Sequence, residues 1–331
     1  MHSPIMNLFR PLAVFADAMT YGVLSLRPES HLAEAIHFFI EDTLKIFLLL
    51  IVIIYVVTVI RTFIPPERIR SLLSRRGRLA GHVMAGGIGV VTPFCTCSAI
   101  PLFLGFLEAG VPLGVTFTFL IASPMVNEVA FALLFATFGL KIALLYMVSG
   151  LTIAIVAGMI LGALKLEHLV DRGGEGPQNS ARKRPETWPE RLAFAQRYTR
   201  MILKRVWWIV LLGVGVGAWM HGYIPADFLA AYAGADRWYA VPFAVLLGIP
   251  LYANAAGIMP LVAVLAEKGV AAGTSLAFMM AVTGLSLPEF LILRRVMKTR
   301  LILTFAFVVG MGILFTGYLF NAVLAGAVSS T

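Results

Sequence analysis

Residues 43–60 read TLKIFLLLIVIIYVVTVI, a run with nearly the 20 consecutive apolar residues that a helix needs to cross a hydrocarbon core of about 30 Å. A second run, LILTFAFVVGMGILFTGYLF at residues 301–320, has the full length. Backbone polar groups find no water in lipid, so each run must satisfy them within itself as a helix. Unbroken apolar stretches also lack the alternation of a membrane barrel. The sequence therefore predicts an all-α polytopic membrane protein with the lipid bilayer as its surroundings. Composition agrees, since only 13% of residues are charged against about 25% in a soluble domain. No basic region followed by a compact apolar core and a small-residue cleavage site opens the chain, so no removable signal peptide is expected. Two cysteines exclude a disulfide framework.

The net charge of +9 does not point to nucleic acid, because the basic residues cluster between apolar runs. Arg68, Arg70, Arg75, Arg76 and Arg78 follow the first run. Arg182, Lys183, Arg184, Arg191, Arg197, Arg200, Lys204 and Arg205 precede the middle one, and Arg294, Arg295, Lys298 and Arg300 precede the last. This is the pattern of cytoplasmic loops in an inner-membrane protein.

The sequence also matches itself at an offset of 159. That shift pairs Lys45 with Lys204, Pro66 with Pro225, Gly89 with Gly248, Pro101 with Pro260 and Glu108 with Glu267. It continues through Gly110 and Gly269, Gly114 and Gly273, Phe119 and Phe278, and Gly158 and Gly317. The expected organisation is an amino-terminal interfacial amphipathic segment (1–42), a membrane repeat (43–165), a charged cytoplasmic linker (166–201), a second repeat (202–324) and a tail (325–331). Residues 11–26 are the part of the first segment that could alternatively cross.

Charge predicts that the two copies are inverted. The loop after the first copy's opening run is basic, whereas the matching loop, HGYIPADFLAAYAGAD, has no Lys or Arg. Each copy must then cross an odd number of times, so its middle part should hold one true span and one re-entrant hairpin. Inverted repeats with broken helices are an architecture of secondary transporters, whose substrate sites lie near the midplane between the copies. A parallel repeat with four ordinary spans per copy is the alternative.

Each copy interrupts its apolar middle twice, at TPFCTCSAIP (92–101) and SPMVNE (123–128), then at PLYANAAGIMP (250–260) and TGLSLPE (283–289). Proline removes a helical hydrogen bond, so Pro93, Pro101, Pro124, Pro250, Pro260 and Pro288 are the expected helix breakers. Irregular backbone at membrane depth is tolerated where protein buries it or it lines a wet cavity, which predicts a polar central site for a small-molecule substrate. Its candidate contacts are Thr92, Cys95, Thr96, Cys97, Ser98, Ser123, Asn127 and Asn254. Glu128 and Glu289 are candidate ion-coupling carboxylates, since an ionisable group within a span commonly marks a proton or ion pathway. Glu108 and Glu267 read as solvated turn residues, and His82 and His221 are expected at loops or interfaces.

The offset sets Cys95 against Asn254 and Cys97 against Ala256, so the thiols are an asymmetric addition. Buried cysteine often only packs. A structural zinc site wants four ligands and no histidine is close in sequence, while a disulfide across one residue is strained. Two soft thiols that converge would instead suit a thiol-seeking solute or metalloid. Spacing alone leaves packing and ligand roles both open, and a membrane thiol oxidoreductase is a further alternative, although no haem or flavin signature supports it. No resident metal or cofactor is expected, no nucleotide-binding motif is present, and a homo-oligomer is left open.

VTPFCTCSAIPLFLGFLEAGVPLG followed by TFLIASPMVNEVAF resembles the predicted permease family that includes the organoarsenical efflux permease ArsP. So do residues 38–73 and the second-copy stretches GIPLYANAAGIMPL and LSLPEFLILRRVMK. The family commonly has serine between its two cysteines, where this chain has Thr96. The resemblance implies a permease, not an enzyme, exporting trivalent organoarsenicals such as methylarsenite across the inner membrane. It makes Cys95 and Cys97 the matching motif positions, with transient or single-thiol contact, and Asn254 completing the site. Glu128 would couple a proton to alternating access. A channel or permease for an unrelated solute, in which the cysteines only pack, is the other transport reading.

Overall fold

The structure, a computed structural model, describes residues 4–27, 30–63, 78–92, 96–170, 187–223, 237–251, 255–294 and 296–328. Among them the regular elements are helices, apart from an isolated antiparallel bridge between Val170 and Met297. Helix α1 (Pro4–Asp17) continues into a π-helical turn (Ala18–Val23), followed by α2 (His31–Phe63), α3 (Arg78–Val91), α4 (Thr96–Glu108), α5 (Leu113–Met125) and α6 (Glu128–Ala163). The second half holds α7 (Trp188–Tyr223), α8 (Ala240–Gly248), α9 (Ala255–Glu267), α10 (Ala272–Gly284), α11 (Leu287–Leu293) and α12 (Thr299–Val328). Helices α4 and α9 begin and end at positions with the same offset of 159, as do α5 and α10.

Four described stretches are long and apolar enough to cross a bilayer: His31–Ile60, Glu128–Ala163, Ala272–Leu293 and Thr299–Leu324. Helix α7 adds a fifth if its 51° bend between Lys204 and Trp207 lies within one span. Helix α1 and its π-helical continuation are not among the described stretches long and apolar enough to cross. They pack along α2, where Asp17 hydrogen-bonds His37 at 2.9 Å and Tyr21 stacks on the same imidazole.

Two expected segment boundaries fall inside helices. The boundary at residue 42 lies within α2, because His37, Glu41 and Lys45 sit four residues apart and carry the helix beyond its apolar part. Residues 188–201, expected in the linker, form the first part of α7. Glu190 accepts the Thr187 N–H at 3.3 Å, the reach-back of a capping box, which starts the helix there. Residues 171–186 of that linker lie outside the described residues.

Side-chain contacts fix the helix directions. His82 touches Thr118 and Gly89 touches Ala122, so α3 and α5 run the same way, and α4 between them runs back. Gly114 meets Gly158 and Gly162, while Gly150 meets Met125, so α5 and α6 are antiparallel. The α4–α5 turn needs a residue at positive φ, supplied by Gly110 (+78°), with Val111 N–H donating to the Phe106 carbonyl at 2.9 Å. Gly269 (+81°) and Val270 make the same turn between α9 and α10. In α6, Gly139 at φ +82° separates residues 128–138 from 140–163, and the matching place in the second half is the turn between α11 and α12.

The centre belongs to α5 and α10. Every residue of α5 is buried, as is α10 from Gly273 to Gly284. Around them, α2 and α7 pack antiparallel over their length: Phe63 meets Trp188 and Arg191 at one end, and Phe39 meets Gly215 at the other.

Candidate functional site

The first interruption closes α3 through Thr92, whose hydroxyl donates to the Ile88 carbonyl at 2.7 Å and to that of Gly89 at 3.1 Å. Pro93 and Cys95 lie outside the described residues, as does Asn254 in the second half. Thr96, Cys97 and Ser98 occupy the first turn of α4. Pro101 and Pro260, expected to break helices, do not: α4 and α9 run through both. Each sits at the sixth position, where the lost N–H removes only the bond to the carbonyl four residues back, that of Cys97 or Ala256. Membrane helices tolerate such a loss where neighbours re-satisfy the carbonyl.

Glycine brings this interruption against the next one. A Cβ at Gly89 would stand 3.0 Å from Ala122 Cβ and 3.2 Å from the Phe119 carbonyl oxygen, so glycine lets α3 lie against Ser123 without displacing α5. Gly248 repeats the arrangement, 2.9 Å from Ala281 Cβ and 3.1 Å from the Phe278 oxygen. Ser123 itself is fully buried.

The second interruption follows Pro124, in the last turn of α5. Asn127 is extended and its side-chain oxygen accepts the Ala130 N–H at 2.7 Å, capping α6. Glu128, the first residue of α6, is exposed. In the second half Pro250 stands two residues after the end of α8, and Ser286 precedes α11, with Pro288 at its start. The Leu287 N–H donates to the Ile249 carbonyl at 2.7 Å, joining the two interruptions of that half. Glu289 is 1% exposed, and neither carboxyl oxygen has a hydrogen-bond partner. It stands three residues after Ser286, the spacing of a capping box, with its carboxyl turned toward the Ser286 backbone N–H but outside well-formed hydrogen-bond geometry.

Among the described residues, two junctions join the first-half and second-half helices. Helix α11, carrying Glu289, packs on α4, whose first turn carries Cys97. Helix α6, carrying Glu128, packs on α9, which begins just after Asn254; Phe138 and Ile142 lie beside Val262 and Ala266 there. Between the junctions, Met125 covers Gly284 and Ile153 meets Gly312, each pair joining positions offset by 159.

Polar groups that sequence reasoning missed or misplaced lie nearby. His82 is buried rather than at a loop or interface, and its Nδ1 is 2.7 Å from the Thr118 hydroxyl. The matching positions are Val241 and Ala277, so the repeat offset held the signal: polar residues in one half against apolar ones in the other. Tyr146 is fully buried, its hydroxyl turned toward Thr283 at the second-half interruption. Asn321 Oδ1 accepts the Thr274 N–H at 3.1 Å and its Nδ2 donates to the Thr274 hydroxyl at 3.0 Å, tying α12 to α10.

Several membrane-crossing helices packed around two central interrupted ones define a multi-pass helical membrane protein. Comparison with known families makes it a permease: the chain belongs to the ArsP_1 family, described as a predicted permease, whose model matches residues 31–322. It is 20% identical over 311 residues to the UPF0718 protein MJ0584 of Methanocaldococcus jannaschii, covering 76% of this chain and 84% of that protein. A Streptococcus mutans protein described as a subunit of a two-component membrane permease complex is 23% identical over 250 residues, 74% of this chain and 81% of its own. The UPF0718 protein YcgR of Bacillus subtilis is 29% identical over 106 residues, 31% of this chain and 35% of its own. No solved structure matches the chain.

Proposed function

We propose that the chain is a secondary transporter of two inverted copies, residues 43–165 and 202–324, which exports a small thiol-reactive solute such as a trivalent organoarsenical by alternating access. The observation that carries this reading is the exchange of partners at the interruptions: α11 of one copy rests on α4 of the other, and α6 rests on α9. Rocking one copy against the other would open and close both junctions together. The common offset of the helix bounds and glycine contacts supports a duplication, and the antiparallel course of α2 and α7 supports inversion.

In this arrangement α3 and α4 form a hairpin entering from the cytoplasm, and α8 and α9 one entering from outside. Helix α5 with the start of α6, and α10 with α11, are broken spans, so each copy crosses three times. The basic residues after α2 and around the linker orient the chain in an inner membrane, with the linker cytoplasmic.

One thiol, at Cys95 or Cys97, would exchange for a hydroxyl on trivalent arsenic. The As–O and S–H bonds break, an As–S bond forms, and the hydroxyl leaves as water; attack by water reverses the step on release. Single-thiol contact keeps the solute releasable. A proton gradient drives the cycle through an intramembrane carboxyl, for which Glu128 and Glu289 are the candidates.

Uptake of methylarsenite into everted membrane vesicles tests the reading. Gradient-dependent uptake is expected for the native chain and loss to the level of empty vesicles for Cys95→Ser plus Cys97→Ser. Unchanged uptake in that variant would reduce the cysteines to packing, and absence of uptake by folded native protein would remove organoarsenicals as the solute.

A further inference from the structure

Among the described residues, Glu289 is the buried carboxyl at the interruptions with both oxygens unpartnered. We infer that Glu289 is the coupling carboxyl of this permease, and that a proton and the transported solute take turns at the junction of α4 and α11. The inference rests on the transporter reading above and deepens it.

Burial is the first argument. An ionised carboxylate without partners in a dry interior is expensive, whereas the neutral acid is far less so. In the proposed cycle Glu289 holds its proton while the junction excludes water and releases it when the junction opens. Helix α4 has Cys97 near its start and Glu108 at its end; α7 has Lys204 and Arg205 at its bend; Arg294, at the end of α11, is exposed. Among the described side chains neither carboxyl oxygen has a well-formed hydrogen bond.

Placement is the second argument. Both α4 and α11 begin at interruptions, and they pack against one another. A relay of rings couples them: Phe103 of α4 to Phe117 at 5.3 Å, Phe117 to Phe305 at 5.8 Å, and Phe305 to Phe290, beside Glu289, at 6.4 Å. In the proposed cycle a solute at the start of α4 would act on the helix that carries the acid through these contacts. The other copy has Ala130 at the matching position, so the acid is single, while Glu128 is exposed at the start of its helix.

A purely structural role, as the third residue of a capping box after Ser286, makes a different prediction, because glutamine serves that role as well as glutamate. Glu289→Gln keeps the cap and removes only the proton. In everted vesicles the variant is expected to lose gradient-driven methylarsenite uptake yet keep methylarsenite counterflow, now insensitive to pH. In native membranes a hydrophobic carbodiimide, which modifies protonated carboxyls, is expected to label Glu289, with labelling reduced by methylarsenite. Gradient-driven uptake surviving in Glu289→Gln, loss of counterflow in the folded variant, or labelling of Glu128 and not Glu289 would each overturn the assignment. Native vesicles that take up no methylarsenite would remove the arsenical solute, and carbodiimide labelling of Glu289 would still decide the carboxyl: its presence supports the assignment and its absence overturns it.

Discussion

His82 and Thr118 show what individual residues contribute and what a linear reading of them conceals. Histidine in an apolar run reads as an interfacial residue, but α3 packs so closely on α5 that the imidazole is buried and finds a hydroxyl at 2.7 Å. Val241 and Ala277, at the positions offset by 159, are apolar. Removing one partner should therefore cost more than removing both. Thr118→Ala strands a buried imidazole and is expected to destabilise by about 1–3 kcal/mol, while His82→Val plus Thr118→Ala is expected to restore most of that loss. Thermal unfolding in detergent checks the order, and a double variant weaker than the single one would show that the pair contributes more than mutual satisfaction. Glu289 teaches the same lesson from the other direction. The basic residues from Arg294 onward suggest an interfacial carboxylate, yet packing of α11 on α4 and α7 buries it.

At the scale of elements, most of the helix interruptions were readable because proline, hydroxyl and amide groups stand out in apolar sequence. Asn127 caps α6, Pro288 starts α11 and Pro250 follows α8, where the residue types alone place them. Pro101 and Pro260 were misread, since a proline near a helix start costs one bond rather than the helix. Invisible in the sequence was which elements meet across the two halves of the chain, since contacts such as α11 on α4 join segments far apart in sequence. Glycine contacts sharpen this into a prediction. A Cβ at Gly114 would lie 2.5 Å from the Gly158 carbonyl oxygen and 2.8 Å from Gly162 Cα. Close approach through small residues is what holds membrane helices together. Gly114→Ala is expected to destabilise by about 1–3 kcal/mol, as overpacking does, and Gly273→Ala, which would meet the Gly317 oxygen, by a similar amount. Gly87, with nothing within 4 Å, is the contrast. Gly87→Ala should be neutral or stabilise by up to about 1 kcal/mol through helix propensity. Equal unfolding temperatures for Gly114→Ala and Gly87→Ala would contradict the account of the α5–α6 seam.

For the whole molecule, one offset of 159 ties sequence to architecture. It links Gly89 to Gly248, Met125 to Gly284 and Ile153 to Gly312, and the last two pairs touch, the contact that positions near the two-fold axis of the proposed inverted repeat would make. Helices α2 and α7 run antiparallel, the relation that inverted copies require. A transporter built this way exposes its two α-helical hairpin turns on opposite faces of the membrane. Ala109 and Lys268 occupy matching places in those turns, between α4 and α5 and between α9 and α10. The most direct measurement labels Ala109→Cys or Lys268→Cys with an impermeant maleimide, in a chain carrying Cys95→Ser and Cys97→Ser, using intact cells and everted vesicles. The account predicts that position 268 reacts in intact cells and position 109 only in everted vesicles. Reaction of both positions from the same side would contradict the inverted repeat, and with it the alternating-access reading.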